Sequence, residues 1–176
     1  MYKTPTFWKK KNLLSYFLLP FSGFYSFIYF LYYKFKKEIK IKTPVICVGN
    51  IVFGGAGKTP TTIKIRQLLS KNFSNIHVLT RGYLGQEKGP IIVSKKMSYK
   101  DVGDESIIHS TYGLTCVSKN KVNGANFCEK RNADLIILDD GFQSVSVKKN
   151  FSILVIDFYN GLTNDFLFPA GPLRQS

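Results

Sequence analysis

The chain has 176 residues, 25 Lys and Arg against 11 Asp and Glu, and three cysteines. That length buries one α/β core with little left for a second full domain. Cys47, Cys116 and Cys128 show no paired spacing for a metal or a redox couple and read as three buried or half-buried free thiols in a reducing compartment.

The formal charge of +14 is uneven. Lys3, Lys9, Lys10, Lys11, Lys34, Lys36, Lys37, Lys40 and Lys42 stand against Glu38 alone at the amino terminus. Between them, Leu13–Tyr33 carries no charge and is dense in Phe, Leu, Ile and Tyr. Nucleic-acid binding interleaves aromatics with cations; here the cations flank an uncharged block, so no nucleic acid is expected and a membrane surface is. The block has about the ~20 residues that a crossing helix needs. Pro20, Ser15, Ser22, Gly23 and five tyrosines dilute it, and no small-residue cleavage site follows. Three readings stand: a tilted or kinked span, a helix lying in the interface, or a buried helix hairpin broken at Pro20. As an anchor, the larger cluster Lys34 to Lys42 would keep the main body inside.

From Thr43 the pattern alternates strands with helices. Strands are expected at Val45–Val48, Ile76–Thr80, Ile91–Val93, Leu114–Val117, Leu135–Leu138 and Phe151–Ile156. Helices are expected at Pro60–Leu69, Asp104–Ser110 and Val122–Lys130. Leu135–Leu138 and Phe151–Ile156 are continuous apolar runs, as strands covered on both faces are. The fold class is α/β, a P-loop NTPase-like parallel sheet flanked by helices and preceded by an N-terminal membrane-associating helix.

The first strand runs into Gly49, Asn50, then Gly54–Gly55–Ala56–Gly57–Lys58–Thr59–Pro60, and an amphipathic helix follows. Glycines let successive N–H groups converge on an anion, and the helix N-terminus adds its positive end. In such a loop the lysine reaches the β- and γ-phosphates and the threonine hydroxyl meets Mg²⁺. The usual first glycine is replaced by Val52, so the loop is a variant form. The expected ligand is a nucleoside triphosphate. A guanine site would add Asn–Lys–x–Asp, and none follows Lys58.

The run Leu135–Ile136–Ile137–Leu138 ends in Asp139–Asp140. An apolar strand ending in acids is how a P-loop fold places a carboxylate beside Mg²⁺; which of the two meets the metal stays open. Arg81 follows a strand at the same edge and suits a phosphate of nucleotide or substrate, or is a surface arginine. Asp104–Glu105 reads either as a helix-opening acidic pair or as a carboxylate that deprotonates an attacking hydroxyl. His77 reads as structural, and His109, near that acidic pair, receives no role.

These motifs, with Thr80–Arg81–Gly82–Tyr83, Gly103–Asp104–Glu105, Asp139–Asp140–Gly141–Phe142–Gln143 and Pro169–Ala170–Gly171–Pro172–Leu173–Arg174, recur in this order in one family. The chain resembles the tetraacyldisaccharide 4′-kinases, the lipid A 4′-kinases of Gram-negative bacteria. The resemblance covers essentially the whole chain. It implies transfer of the ATP γ-phosphate to the 4′-hydroxyl of a tetraacylated glucosamine disaccharide 1-phosphate, with Mg²⁺, at the cytoplasmic face of the inner membrane. By motif it implies that Gly54 to Pro60 bind nucleotide, with Lys58 also catalytic. Thr59, Asp139, Asp140 and Glu105 serve the metal, Asp104 acts as catalytic base together with a histidine, and Arg81 binds substrate.

Residues 1–42 then form the membrane-associating segment and 43–176 the kinase lobe. Family members continue from Leu–Arg to Glu–Pro and into a second α/β lobe carrying that histidine; this chain has Gln175–Ser176, and neither His77 nor His109 matches it. The expectation is an N-terminal lobe only, as a fragment, a truncated product or one subunit of a split enzyme. The rival readings are a membrane-bound ATPase with water as acceptor and a nucleotide-binding fragment that completes no reaction.

Overall fold

The computed structural model describes residues 5–159 and 161–175; Lys3 of the basic cluster and Ser176 lie outside the described residues. The chain divides into two compact units. One comprises residues to Lys36, Asn50–Gly57 and Leu154 onward; the other comprises Lys37–Gly49 and Lys58–Ile153.

The second unit carries the sheet, built from β1 (Val45–Gly49), β2 (Ile76–Thr80), β3 (Ile91–Ile92), β4 (Thr115–Val117), β5 (Leu135–Asp139) and β6 (Phe151–Leu154) in the order β3-β4-β2-β5-β1-β6. β1, β5, β2 and β4 pair in parallel. β2 and β5 are buried along their whole length; Leu135–Leu138 of β5 is continuously apolar, while β2 buries His77 and Thr80 among Ile76, Val78 and Leu79. The register sets Val48 opposite Asp139 and Leu79 opposite Leu138, so the carboxyl ends of β1, β5 and β2 share one edge. That edge is where ligands of open α/β sheets bind.

Helices α3 (Lys58–Leu69), α4 (Tyr99–Val102), α5 (Asp104–Tyr112) and α6 (Lys121–Glu129) complete this unit. α4 starts on a capping box in which the Asp101 carboxylate accepts from the Ser98 N–H. The three cysteines are buried and free.

Two strand expectations need correction. β3 runs antiparallel to β4, so the sheet is mostly rather than wholly parallel. β6 stops at Leu154, and Phe151 and Leu154 are exposed. It lies at the sheet edge beyond β1, where no helix need cover it, and its apolar run reflects β propensity rather than burial.

His77 lies inside β2, and its ring shares a 3.2 Å hydrogen bond with Asn75 Oδ1. Burial, then the Arg66 and Arg131 charges, lower its pKa below the ordinary 6.5. The unfolded chain therefore takes up the proton first as pH falls, and stability held above pH ~6.5 is lost below it. Urea unfolding of wild type is expected to lose free energy as pH falls below about 6.5, and His77→Gln to flatten that part of the profile.

In the first unit, a 3₁₀ turn (Thr6–Trp8) precedes α1 (Leu13–Phe17) and α2 (Leu19–Phe35). Asn12 caps α1, its Oδ1 accepting from the Ser15 N–H at 3.0 Å. The apolar block is thus two helices, because Pro20, in the first turn of α2, has no N–H to continue the ladder from α1. α2 has 17 residues, ~25 Å at 1.5 Å per residue against ~30 Å of hydrocarbon. Among the described residues, no helix is long and apolar enough to cross a membrane.

Within this unit α2 packs by its polar stripe onto the carboxyl-terminal segment. Ser22 Oγ donates to Leu167 O at 2.8 Å, and Tyr25 Oη to Arg174 O at 2.8 Å. Phe21, Phe24, Phe27, Ile28, Phe30 and Phe35 remain exposed.

Candidate phosphotransfer site

Lys58 and Thr59 open α3, where the free N–H groups and dipole of a helix favour an anion. Lys58 Nζ lies 3.7 Å from Asp140 Oδ1, the residue that follows β5. Asp140 takes φ +51°, in the left-handed region that few non-glycine residues adopt. The turn holding it is therefore fixed by its surroundings rather than by its own preference.

Asp139, the last residue of β5, points inward. Its Oδ2 lies 2.7 Å from His109 Nε2, and Thr62 Oγ1 donates to its Oδ1 at 3.3 Å. The His109 and Asp139 side chains are 1% and 3% exposed. Lys121 opens α6, and its Nζ donates to the main-chain oxygens of Leu79, at 3.3 Å, and Asp139, at 3.5 Å. Burial pulls its pKa down to about 8, against the attraction of Asp139 and Asp140.

Glu105 remains exposed, yet lost hydration raises its pKa; Asp139 adds to the rise and Lys58 opposes it. Asp104 is exposed, its Oδ1 accepting from the Glu105 N–H at 3.0 Å. Arg81 is exposed just beyond β2, close enough for its charge to act on Lys121.

The structure thus joins Lys58 to Asp140 and Asp139 to Thr62, and sets Glu105 within their field. Asp104 and Arg81 stand at the ends of their elements.

Sequence reasoning missed His109 and Lys121. A faint signal existed for each: Ser106 and His109, polar at helical spacing, are both buried, and a lysine opening a helix runs against its dipole.

The glycine loop belongs to the first unit. Gly54 and Gly57 take φ +126° and +80°, which L side chains rarely adopt, and a Cβ at Gly54, Gly55 or Gly57 would meet nothing within 4 Å. At Gly54 and Gly57 the glycine is therefore owed to the backbone path, not to crowding. Buried Asn50 braces it, Nδ2 donating to Gly54 O at 3.3 Å. Across from it, Phe53 N–H donates to Pro172 O at 2.8 Å, and Val52 bridges Leu173.

Among the described residues no three or more His, Cys, Asp or Glu converge to hold a metal by themselves. A threonine hydroxyl and one or two carboxylates are nonetheless the donor set that suits Mg²⁺, which takes its remaining ligands from phosphates and water.

The family model described as tetraacyldisaccharide-1-P 4′-kinase matches residues 14–176. The chain belongs to this family. It is 41% identical over 174 residues to the tetraacyldisaccharide 4′-kinase of Rhodopseudomonas palustris (strain BisB5), covering 98% of this chain and 51% of that protein. To the tetraacyldisaccharide 4′-kinase of Rickettsia canadensis it is 37% identical over 171 residues, covering 97% and 52%. Its fold is similar to that of LpxK from Aquifex aeolicus, solved in complex with ATP, at TM-score 0.79 and 33% identity over 93% of this chain and 55% of that one. The chain spans about half the length of these family members.

Proposed function

We propose that the chain handles ATP for phosphorylation of the 4′-hydroxyl of a tetraacyldisaccharide 1-phosphate, a step of lipid A biosynthesis, as the names of its relatives suggest. The observation that carries this reading is the meeting of Lys58, at the head of α3, with the acids that end β5.

The loop Gly54, Gly55, Ala56 and Gly57, with Lys58, Thr59 and Pro60, would hold the ATP phosphates. Thr59, Asp140, Asp139 and Glu105 would hold Mg²⁺, which when bound would neutralise phosphate charge. Lys58 takes up charge as it builds on the transferred phosphoryl group. Asp104, open to solvent, takes the proton of the attacking hydroxyl. Arg81 pairs with a substrate phosphate as a planar fork. The rest of catalysis is positioning of the hydroxyl in line with the γ-phosphate.

Residues 1–42 serve as the membrane-associating segment and 43–176 as the kinase lobe, working at the cytoplasmic face of the inner membrane beside a second lobe or chain. The exposed aromatic face of α2, flanked by lysines, supports an interfacial position. Each lysine near an anionic surface adds about 1 kcal/mol. Phe24→Glu with Phe27→Glu is expected to abolish co-sedimentation with anionic vesicles, and high salt to weaken that of wild type. Binding unchanged by both would remove the interfacial role.

The reading as a kinase is tested by ADP release with Mg²⁺·ATP, with and without the lipid acceptor. Release that requires tetraacyldisaccharide 1-phosphate supports it; release equal without the lipid points to a plain ATPase.

A further inference from the structure

We propose that His109 is a positioning residue of the nucleotide site, holding the Asp139 carboxylate so that α5 and α3 keep their spacing around the metal. This rests on the reading of Lys58, Thr59 and the β5 acids as an ATP·Mg²⁺ site.

The Asp139 carboxylate is held on both oxygens, by His109 from α5 on Oδ2 and by Thr62 from α3 on Oδ1. Each holder is tied by its helix to groups that the reading uses. His109 lies five residues after Asp104 and four after Glu105, and Thr62 lies three after Thr59. One carboxylate therefore joins the helix bearing the acids to the helix bearing Lys58 and Thr59, at the tip of the strand that presents Asp140.

The chemistry of His109 points away from a packing role. Its ring is 1% exposed, yet Nδ1 has no hydrogen-bond partner among the described residues. A buried nitrogen without a partner weakens a fold, and an apolar side chain would fill the same space without that cost. What only the histidine supplies is the Nε2–H directed at Asp139. Groups that orient the carboxylates of a metal site typically change metal affinity about 10–100-fold when removed.

The test is calorimetric titration of the chain with ATP, in Mg²⁺ and in EDTA, for wild type, His109→Gln, His109→Leu and Thr62→Val, each first checked for folding by circular dichroism. Gln keeps an N–H near the Nε2 position, and Leu fills the space without a donor. Wild type is expected to bind ATP more tightly in Mg²⁺ than in EDTA. His109→Leu is expected to lose about 10–100-fold of that enhancement with its affinity in EDTA unchanged, and His109→Gln to retain it. Thr62→Val removes the other hydrogen bond in a near-isosteric swap. It gives a smaller loss of the same kind and carries the test if His109→Leu does not fold.

Full enhancement in both His109→Leu and Thr62→Val, or an equal loss in His109→Gln and His109→Leu, overturns the role of His109 while the ATP site stands. A wild-type chain that binds no ATP overturns both.

Discussion

Replacing Lys58 by alanine is expected to lower phosphoryl transfer about 10²–10³-fold, the usual cost of removing a preorganised group that meets charge developing in the transition state. Lys58 follows the glycine loop directly and lies 3.7 Å from Asp140, the acid after β5. Its side chain is only 11% exposed, so its charge acts where water screens it less than at an open surface. Lys58→Arg is expected to recover little, because a planar fork does not replace a compact ammonium as a point charge. Transfer by Lys58→Ala at the wild-type rate, measured with saturating ATP, would show that the lysine only pairs with Asp140.

Trp8→Ala is expected to cost about 3–5 kcal/mol of stability, as large-to-small changes of buried aromatics do. Trp8 is 8% exposed, and its Nε1–H donates to Pro169 O at 3.0 Å. Its ring centroid lies 6.0 Å from that of Phe53, in the glycine-loop segment, and 6.2 Å from that of Phe168. Phe53 and Phe168 themselves stand 5.5 Å apart. Removing the indole opens a cavity among these rings and leaves the Pro169 carbonyl without its donor. The loop beside Phe53 then loses a wall, so ATP affinity is expected to fall with stability. Trp8 is the single tryptophan of the chain, so urea unfolding of the variant is followed by circular dichroism. An unchanged midpoint would place Trp8 outside the packing of this unit.

Much of the sheet was legible because its strands are short, β-branched and punctuated. Val45–Gly49 and Leu135–Asp139 differ from their expected bounds by one residue at one end. The juxtaposition of Lys58 with Asp140 could be anticipated, because each lies at an element end that the α/β order brings to one edge.

The pairing of His109 with Asp139 could not be. The two are 30 residues apart, and the contact depends on which face of α5 turns inward, which a weakly amphipathic helix does not declare. Lys121 was hidden for a different reason: among so many lysines, a place at a helix N-terminus only faintly marks the one whose amine reaches main-chain oxygens inside the sheet edge.

Phe151–Ile156 looked like an interior strand and is an exposed edge, because hydrophobicity alone does not say what covers it. In Leu13–Tyr33 the break at Pro20 was legible, and the structure has two helices there.

Whether Lys58, Thr59 and the acids ending β5 form an ATP·Mg²⁺ site is decided by the stoichiometry and strength of ATP binding to the 176-residue chain and to its Lys58→Ala variant. One ATP per chain is expected in Mg²⁺, with binding weakened but still measurable in the variant while its circular dichroism is unchanged. Binding of equal strength in both proteins, or none in wild type, would contradict such a site.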